Sequence, residues 1–163
     1  MAGRGFIHDK LELKFLILYI TARVIEPIPF DTVLDLTMCD DAIDYFDFSE
    51  CLADLVRTEH LSLSEDGLYS ITEKGLRNSR ICESSLPYSV RSKCDKRLHE
   101  LNNTLRREAQ VQGVVTSLPS GGYNVTLSLD DDTGNLFTLT VFSGSQERAD
   151  DWVKRFKHAP ESI

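Results

Sequence analysis

The stretch from Phe30 to Gly75 constrains the fold most, because its apolar spacing and turn residues dictate an order of elements. A short helix is predicted from Asp31, as N-cap, to about Thr37, with Val33, Leu34 and Leu36 facing inward. Cys39-Asp40-Asp41 forms a tight turn, and Asp40 or Asp41 supplies a side-chain oxygen to cap the next helix. That helix is expected over residues 41–57, with Tyr45, Phe48, Leu52, Leu55 and Val56 inward and Asp47, Glu50 and Asp54 outward. His60-Leu61-Ser62-Leu63 and Leu68-Tyr69-Ser70-Ile71 alternate about Glu65-Asp66-Gly67, the pattern of a short hairpin. Thr72 then caps a fourth helix ending near Ser84. Ahead of all this, Leu11, Phe15, Leu18, Ala22 and Ile25 recur at steps of three and four, which predicts a first helix over residues 9–25. Pro27 and Pro29 stop it.

Helix, turn, helix, hairpin and closing helix is the order of a winged helix-turn-helix, a module that lays its second helix in the DNA major groove. Here that helix carries Asp41, Asp44, Asp47, Glu50 and Asp54 against a single Arg57. Carboxylates repel phosphates, and DNA affinity comes chiefly from Lys and Arg releasing counterions. A charged helix face is often merely solvated, and Asp near a helix start favours the dipole. That reasoning covers Asp41 and Asp44 but not the three acids that follow.

Charge is unevenly spread along the 163 residues: −8 over residues 1–86, +3 over 87–112 and −3 over 113–163. An acidic segment joined to a basic one makes charge pairing possible within a chain or between two. The apolar run Phe15 to Ile20 is far shorter than the roughly 20 residues that span a bilayer, and no export signal precedes it. Cys39, Cys51, Cys82 and Cys94 form no C-x-x-C pair. Reduced thiols and a cytoplasmic location are the expectation, with no membrane partner.

The second half changes character. Pro87 opens a helix expected over 87–112, on which Cys94, Leu98, Leu101 and Leu105 follow steps of four, three and four. This narrow stripe reads as the seam of a homodimer, or as a face packed on the chain's own sheet. Lys and Arg at 91, 93, 96, 97, 106 and 107 surround it, either to bind nucleic acid or to solubilise the helix. Beyond Gln112 the period becomes two: Tyr123, Val125, Leu127 and Leu129 alternate, as do Phe137, Leu139 and Val141. Pro119-Ser120-Gly121-Gly122 and residues 130–135 supply the turns of an antiparallel meander. A last helix over 145–158 presents Ala149, Trp152, Val153 and Phe156 to that sheet. The fold class is α+β, with a winged helix over 1–86 and a dimerisation or effector region over 87–163.

No catalytic, metal or cofactor set emerges. Asp130-Asp131-Asp132 lacks the alternating oxygen ligands and distant Glu of a calcium loop. Gly121-Gly122 lacks the spacing and the Lys-Ser/Thr of a phosphate cradle. His8, His60, His99 and His158 fall on separate elements, and no nucleophile motif is present. Cys51 and Cys82 read as small buried hydrophobes, with redox sensing as the alternative for the cysteines. The chain is not expected to be an enzyme.

Phe6-Ile7-His8-Asp9-Lys10, Thr37-Met38-Cys39-Asp40-Asp41, Tyr45-Phe46-Asp47-Phe48-Ser49-Glu50-Cys51-Leu52 and Ser84-Ser85-Leu86-Pro87-Tyr88-Ser89-Val90-Arg91 resemble an uncharacterised family from Gram-positive bacteria. Its members are described as winged-helix, transcription-regulator-like proteins of unknown function. Tyr69-Ser70-Ile71-Thr72-Glu73-Lys74-Gly75 is also similar to the wing exit of PadR-like and MarR-like regulators. The resemblance implies the fold, and DNA binding by analogy. Two functions are therefore expected as alternatives. One is a dimeric DNA-binding regulator, with contacts from Tyr45, Ser49, the wing, Lys74, Arg77 and Arg80. The other is a winged-helix interaction module that meets a basic protein through its acidic helix.

Overall fold

The computed structural model describes Ile7 and residues 9–40 and 42–160. The described residues form an α+β chain of six α-helices and two three-stranded antiparallel sheets, which divides into a unit over residues 1–102 and a unit over 103–163.

The first unit runs α1 (Lys10–Arg23), β1 (Ile28–Pro29), α2 (Phe30–Thr37), α3 (Tyr45–Arg57), β2 (Leu61–Leu63), β3 (Leu68–Ile71) and α4 (Glu73–Cys82), then a 3-10 turn (Glu83–Ser85) and the start of α5 (Tyr88–Gln110). This is the order of elements expected of a winged helix-turn-helix. Asp9 caps α1 by accepting from the Glu12 amide at 2.7 Å. From Leu16 to Thr21 every residue of α1 is buried, so the helix is covered on all sides, as a helix apolar all round must be. That corrects the single inward face expected: Leu18 lies on the core, whereas Leu11 and Ile25 are exposed.

Strand β1 was not legible in the sequence. It pairs with β3 through Ile28↔Tyr69 and Pro29↔Leu68, giving the order β1-β3-β2. An edge position two residues long tolerates proline, which has no amide hydrogen to give. The N-cap of α2 is Pro29 and not Asp31, which sits in the first turn instead. Likewise Asp44, not Asp40 or Asp41, caps α3, accepting from the Phe46 amide at 2.9 Å. The helix therefore starts four residues later than expected. Asp40 is buried and spends its carboxylate on the amides of Ile7 (2.6 Å) and Ala42 (3.1 Å); Asp41 lies outside the described residues.

The hairpin forms as expected, with Leu61↔Ile71 and Leu63↔Tyr69 in register and Gly67 at φ +79° in its turn. Thr72 Oγ1 accepts from the Gly75 amide at 3.1 Å to cap α4. A Cβ at Gly75 would collide with the His60 carbonyl oxygen, so only glycine lets α4 dock on the base of the wing.

Helix α5 gives the main departure. Val90, Cys94 and Leu98 are buried in the core of the first unit, with Leu101 packed against them. The Tyr19 hydroxyl donates to Asp95, and Asn102 bonds both the Arg23 carbonyl and the Ile25 amide. The stripe proposed as a dimer seam is thus occupied by its own chain at Cys94, Leu98 and Leu101, and Leu105 is half-buried. For the same reason the division between the units falls after Asn102, not near residue 86.

The second unit is the meander β4 (Val111–Ser117), β5 (Tyr123–Asp131) and β6 (Gly134–Ser143), covered by α6 (Gln146–His158). Ala149 and Phe156 of α6 are buried with Val111, Val125 and Leu127, and Trp152 and Val153 pack beside them. Ser145 caps α6 by accepting from the Arg148 amide. At the β5–β6 turn, Asp131 accepts from the Thr133 amide and hydroxyl and the Gly134 amide, so its carboxylate serves the turn itself. Among the described residues, no helix is long and apolar enough to cross a membrane.

Candidate nucleic-acid interface

Phe48, Cys51, Leu52 and Leu55 fix the inward side of α3 and so decide which residues remain for contact. The acidic stripe falls on the flank where α3 meets α1. Lys10 and Lys14, one helical turn apart, face Glu50 and Asp54, also one turn apart, at 2.8 and 3.2 Å. Arg57 binds the other oxygen of Asp54 at 2.7 Å. Hydrogen bonding from Arg57 and then Lys14 holds the Asp54 carboxyl below its usual range, and the Glu50 carboxylate raises Lys10. The outward stripe of free carboxylates read from sequence is corrected accordingly: Asp47 and Asp54 are half-buried, and Glu50 and Asp54 are paired within the chain.

The exposed face of α3 instead follows Phe46, Glu50, Ala53 and Arg57, at steps of four, three and four. Phe46 is 76% exposed and Tyr45 48%, so Tyr45 stands outside the core to which its spacing assigned it. The Tyr45 ring meets Phe46 edge-on at 5.6 Å and Phe30 at 6.1 Å, and Phe30 in turn meets the buried Phe48 at 5.4 Å. A row of aromatics thus leads from the core to the surface at the start of α3. Such rings can rest on a thymine methyl, stack on a base, or fill a pocket of a protein.

The other expected contacts are distributed as follows. Ser49 turns its hydroxyl inward, where it is buried without a hydrogen-bond partner. Lys74 is exposed and donates to the Thr58 carbonyl at 2.8 Å, placing its charge at the C-terminal end of α3 where the dipole favours a cation. Arg77 and Arg80 are exposed on α4, each three residues beyond the previous cation. Tyr45 therefore stands at one end of α3 and Lys74 at the other, roughly 18 Å apart along a 13-residue helix. The wing brings no cation: residues 58–72 contain Glu59, Glu65 and Asp66 and no Lys or Arg. At its base His60 bridges Thr58 Oγ1 (2.8 Å) and the Asn78 amide, and burial, followed by the Lys74 charge, lowers its pKa.

Two further features carry chemistry. On the first part of α5, Lys93, Lys96 and Arg97 line a cavity of about 270 Å³ together with Cys39 and Glu100. In the second unit, a trough of about 690 Å³ opens beside β6, floored by Leu127, Leu139 and Val141 and walled by Trp152, Phe156 and Ala159. The sequence reading missed Phe46 and the pairing of α1 with α3. The second had a signal, since Lys10 and Lys14 repeat at the same interval as Glu50 and Asp54.

The fold is that of an α+β chain with a mainly helical first unit and a small sheet-and-helix second unit. The chain belongs to the family described as "Domain of unknown function (DUF4364)", whose model matches residues 13–163. No curated protein and no solved structure matches it.

Proposed function

We propose that the chain is a cytoplasmic DNA-binding transcriptional regulator of the winged-helix type, acting as a homodimer, with α3 entering the major groove. The observation that carries this reading is the pairing of Glu50 and Asp54 with Lys10 and Lys14, which offsets two of the carboxylates that oppose placing α3 near phosphate. Tyr45 and Phe46 at the start of α3 are the base-facing groups, since recognition helices contact base edges through their N-terminal residues. Lys74, Arg77 and Arg80 supply phosphate contacts; Ser49 is withdrawn from the set. The likeness of residues 69–75 to the wing exit of PadR-like and MarR-like regulators favours the same reading.

Winged-helix readers pair to span two half-sites. With the α5 stripe packed in its own chain, β6 is the surface best suited to a second copy. It is ten residues long, has no charged side chain, and exposes Leu136, Leu139 and Phe142. Long uncharged edge strands are normally covered. Sedimentation at micromolar concentration tests the dimer.

The second reading is an interaction module for a basic protein, and the acidic wing favours it. With Glu50 and Asp54 paired, the negative surface such a partner meets is that of Glu59, Glu65 and Asp66 on the wing. Replacing Arg77 and Arg80 together by Gln separates the two. Loss of duplex binding with a shallower salt dependence supports the regulator, whereas unchanged or absent duplex binding and retained partner binding support the module.

A further inference from the structure

The Sγ atoms of Cys39 and Cys94 lie 2.8 Å apart, although 55 residues separate them in sequence. A disulfide bond is about 2.05 Å long, so closing the gap needs a shift of under about 1 Å. The two thiols sit at a junction. Cys39 lies just past the end of α2, in the turn leading to α3, and Cys94 is on α5. The same helices are already joined there, because Arg97 donates to the Asp35 carbonyl at 2.6 Å and the Cys94 thiol approaches the Leu36 carbonyl at 3.8 Å.

The members of the pair are not equivalent. Cys94 is fully buried. Cys39 reaches the cavity lined by Lys93, Lys96, Arg97 and Glu100, so a small solute has a path to it. The hydrogen bond between the two thiols, aided by the Arg97 charge, lowers the Cys39 pKa, while the same bond and burial raise that of Cys94. A cationic, partly open setting is what makes one thiol the reactive member of a pair. By contrast, Cys51 is buried and its pKa is raised, chiefly by burial.

We propose that Cys39 and Cys94 form an oxidation site for hydroperoxides, Cys39 reacting first and Cys94 closing an intramolecular disulfide. The Cys39 thiolate attacks the outer oxygen of the peroxide, the O–O bond breaks, and Cys39 becomes a sulfenic acid. The departing alkoxide takes up the proton lost from Cys39 and leaves as the alcohol, or as water from hydrogen peroxide. Cys94 sulfur then attacks the Cys39 sulfur, the S–O bond breaks, and the hydroxyl leaves with the Cys94 proton as water. In total two thiols give up two electrons and two protons to one peroxide. In a reducing compartment the bond is transient and undone by thiol exchange. While present, it ties the α2–α3 turn covalently to α5. The chemistry stands apart from the DNA reading, because it is scored on the sulfurs and not on binding.

The test treats the full chain with hydrogen peroxide, blocks remaining thiols, and maps disulfides by mass spectrometry without reduction. The expected product is a monomeric species lacking two hydrogens, with Cys39 and Cys94 peptides linked, and restored by dithiothreitol. Cys94→Ser should leave a Cys39 sulfenic acid that a dimedone probe captures, and Cys39→Ser should abolish the product. Cys51→Ser and Cys82→Ser should leave it intact. Wild-type mapping decides the matter even where a cysteine variant does not fold. Oxidation first at Cys82, linkage between two chains, or Cys39 and Cys94 still alkylated as free thiols after Cys82 has reacted would each overturn the proposal.

Discussion

Lys14 on α1 lies 3.2 Å from Asp54 on α3, and Asp54 in turn holds Arg57 through its other oxygen. One carboxylate therefore joins the central buried helix to the presented one and pairs with two cations on the way. The same arrangement repeats a turn away between Lys10 and Glu50. The charge of α3 is consequently a property of α1 and α3 together.

Removing the lysines should expose that charge. In Lys10→Gln with Lys14→Gln, Glu50 loses its partner and Asp54 keeps only Arg57, and non-specific duplex affinity should fall at low salt. Asp54→Asn should do the reverse, freeing Lys14 and Arg57 and raising affinity several-fold. Both effects should shrink as added salt screens them over about 8–10 Å. Fluorescence anisotropy on a random duplex at two ionic strengths reads both changes.

Leu52 is buried between α3 and the core of the first unit. Truncation there removes packed methyls and leaves a cavity. Leu52→Ala should cost about 2–5 kcal/mol in denaturant unfolding, whereas Leu11→Ala, at the exposed start of α1, should cost under about 0.5 kcal/mol. Equal losses at the two sites would mean that the inward faces are misassigned.

Acid should weaken the base of the wing. The pKa of His60 in the folded chain lies below the 6.5 of a free histidine, so just below that pH the unfolded chain binds more protons than the folded one. Stability then falls as pH drops through the window between the two values and is flat above it. The accepting ring nitrogen faces Asn78, and a proton there opposes the amide hydrogens. His60→Gln should flatten the pH dependence of urea midpoints between about pH 5 and 7.

Much of this fold can be read from the chain because its punctuation is local. Asp9, Thr72 and Ser145 each cap a helix, Gly67 turns the hairpin, and the alternation from Tyr123 to Leu129 marks a strand. What could not be read depends on partners remote in sequence. Strand β1 exists only because β3 pairs with it, and a two-residue stretch containing proline carries no periodic signal. The stripe from Cys94 to Leu101 is apolar on a polar helix whether it meets a second copy or its own core, and periodicity cannot tell these apart. On the candidate surface, Tyr45 and Phe46 follow the cap at Asp44, which sequence placed too early, so the face they present was misjudged. The pairing of Glu50 and Asp54 needed the angle at which α1 crosses α3.

The central claim is that α3, with Glu50 and Asp54 paired to α1, lets the first unit bind duplex DNA. The most direct measurement is the affinity of the wild-type chain for a random duplex, titrated from low to physiological salt. Contacts from Lys74, Arg77 and Arg80 predict measurable binding with a slope of log affinity against log salt of about −3 per bound protomer, at about −0.9 per neutralised phosphate. The slope should be shallower by about 2 per protomer in the Arg77→Gln, Arg80→Gln double variant. Absence of binding at low salt by the wild type, or a slope near zero, would contradict the account.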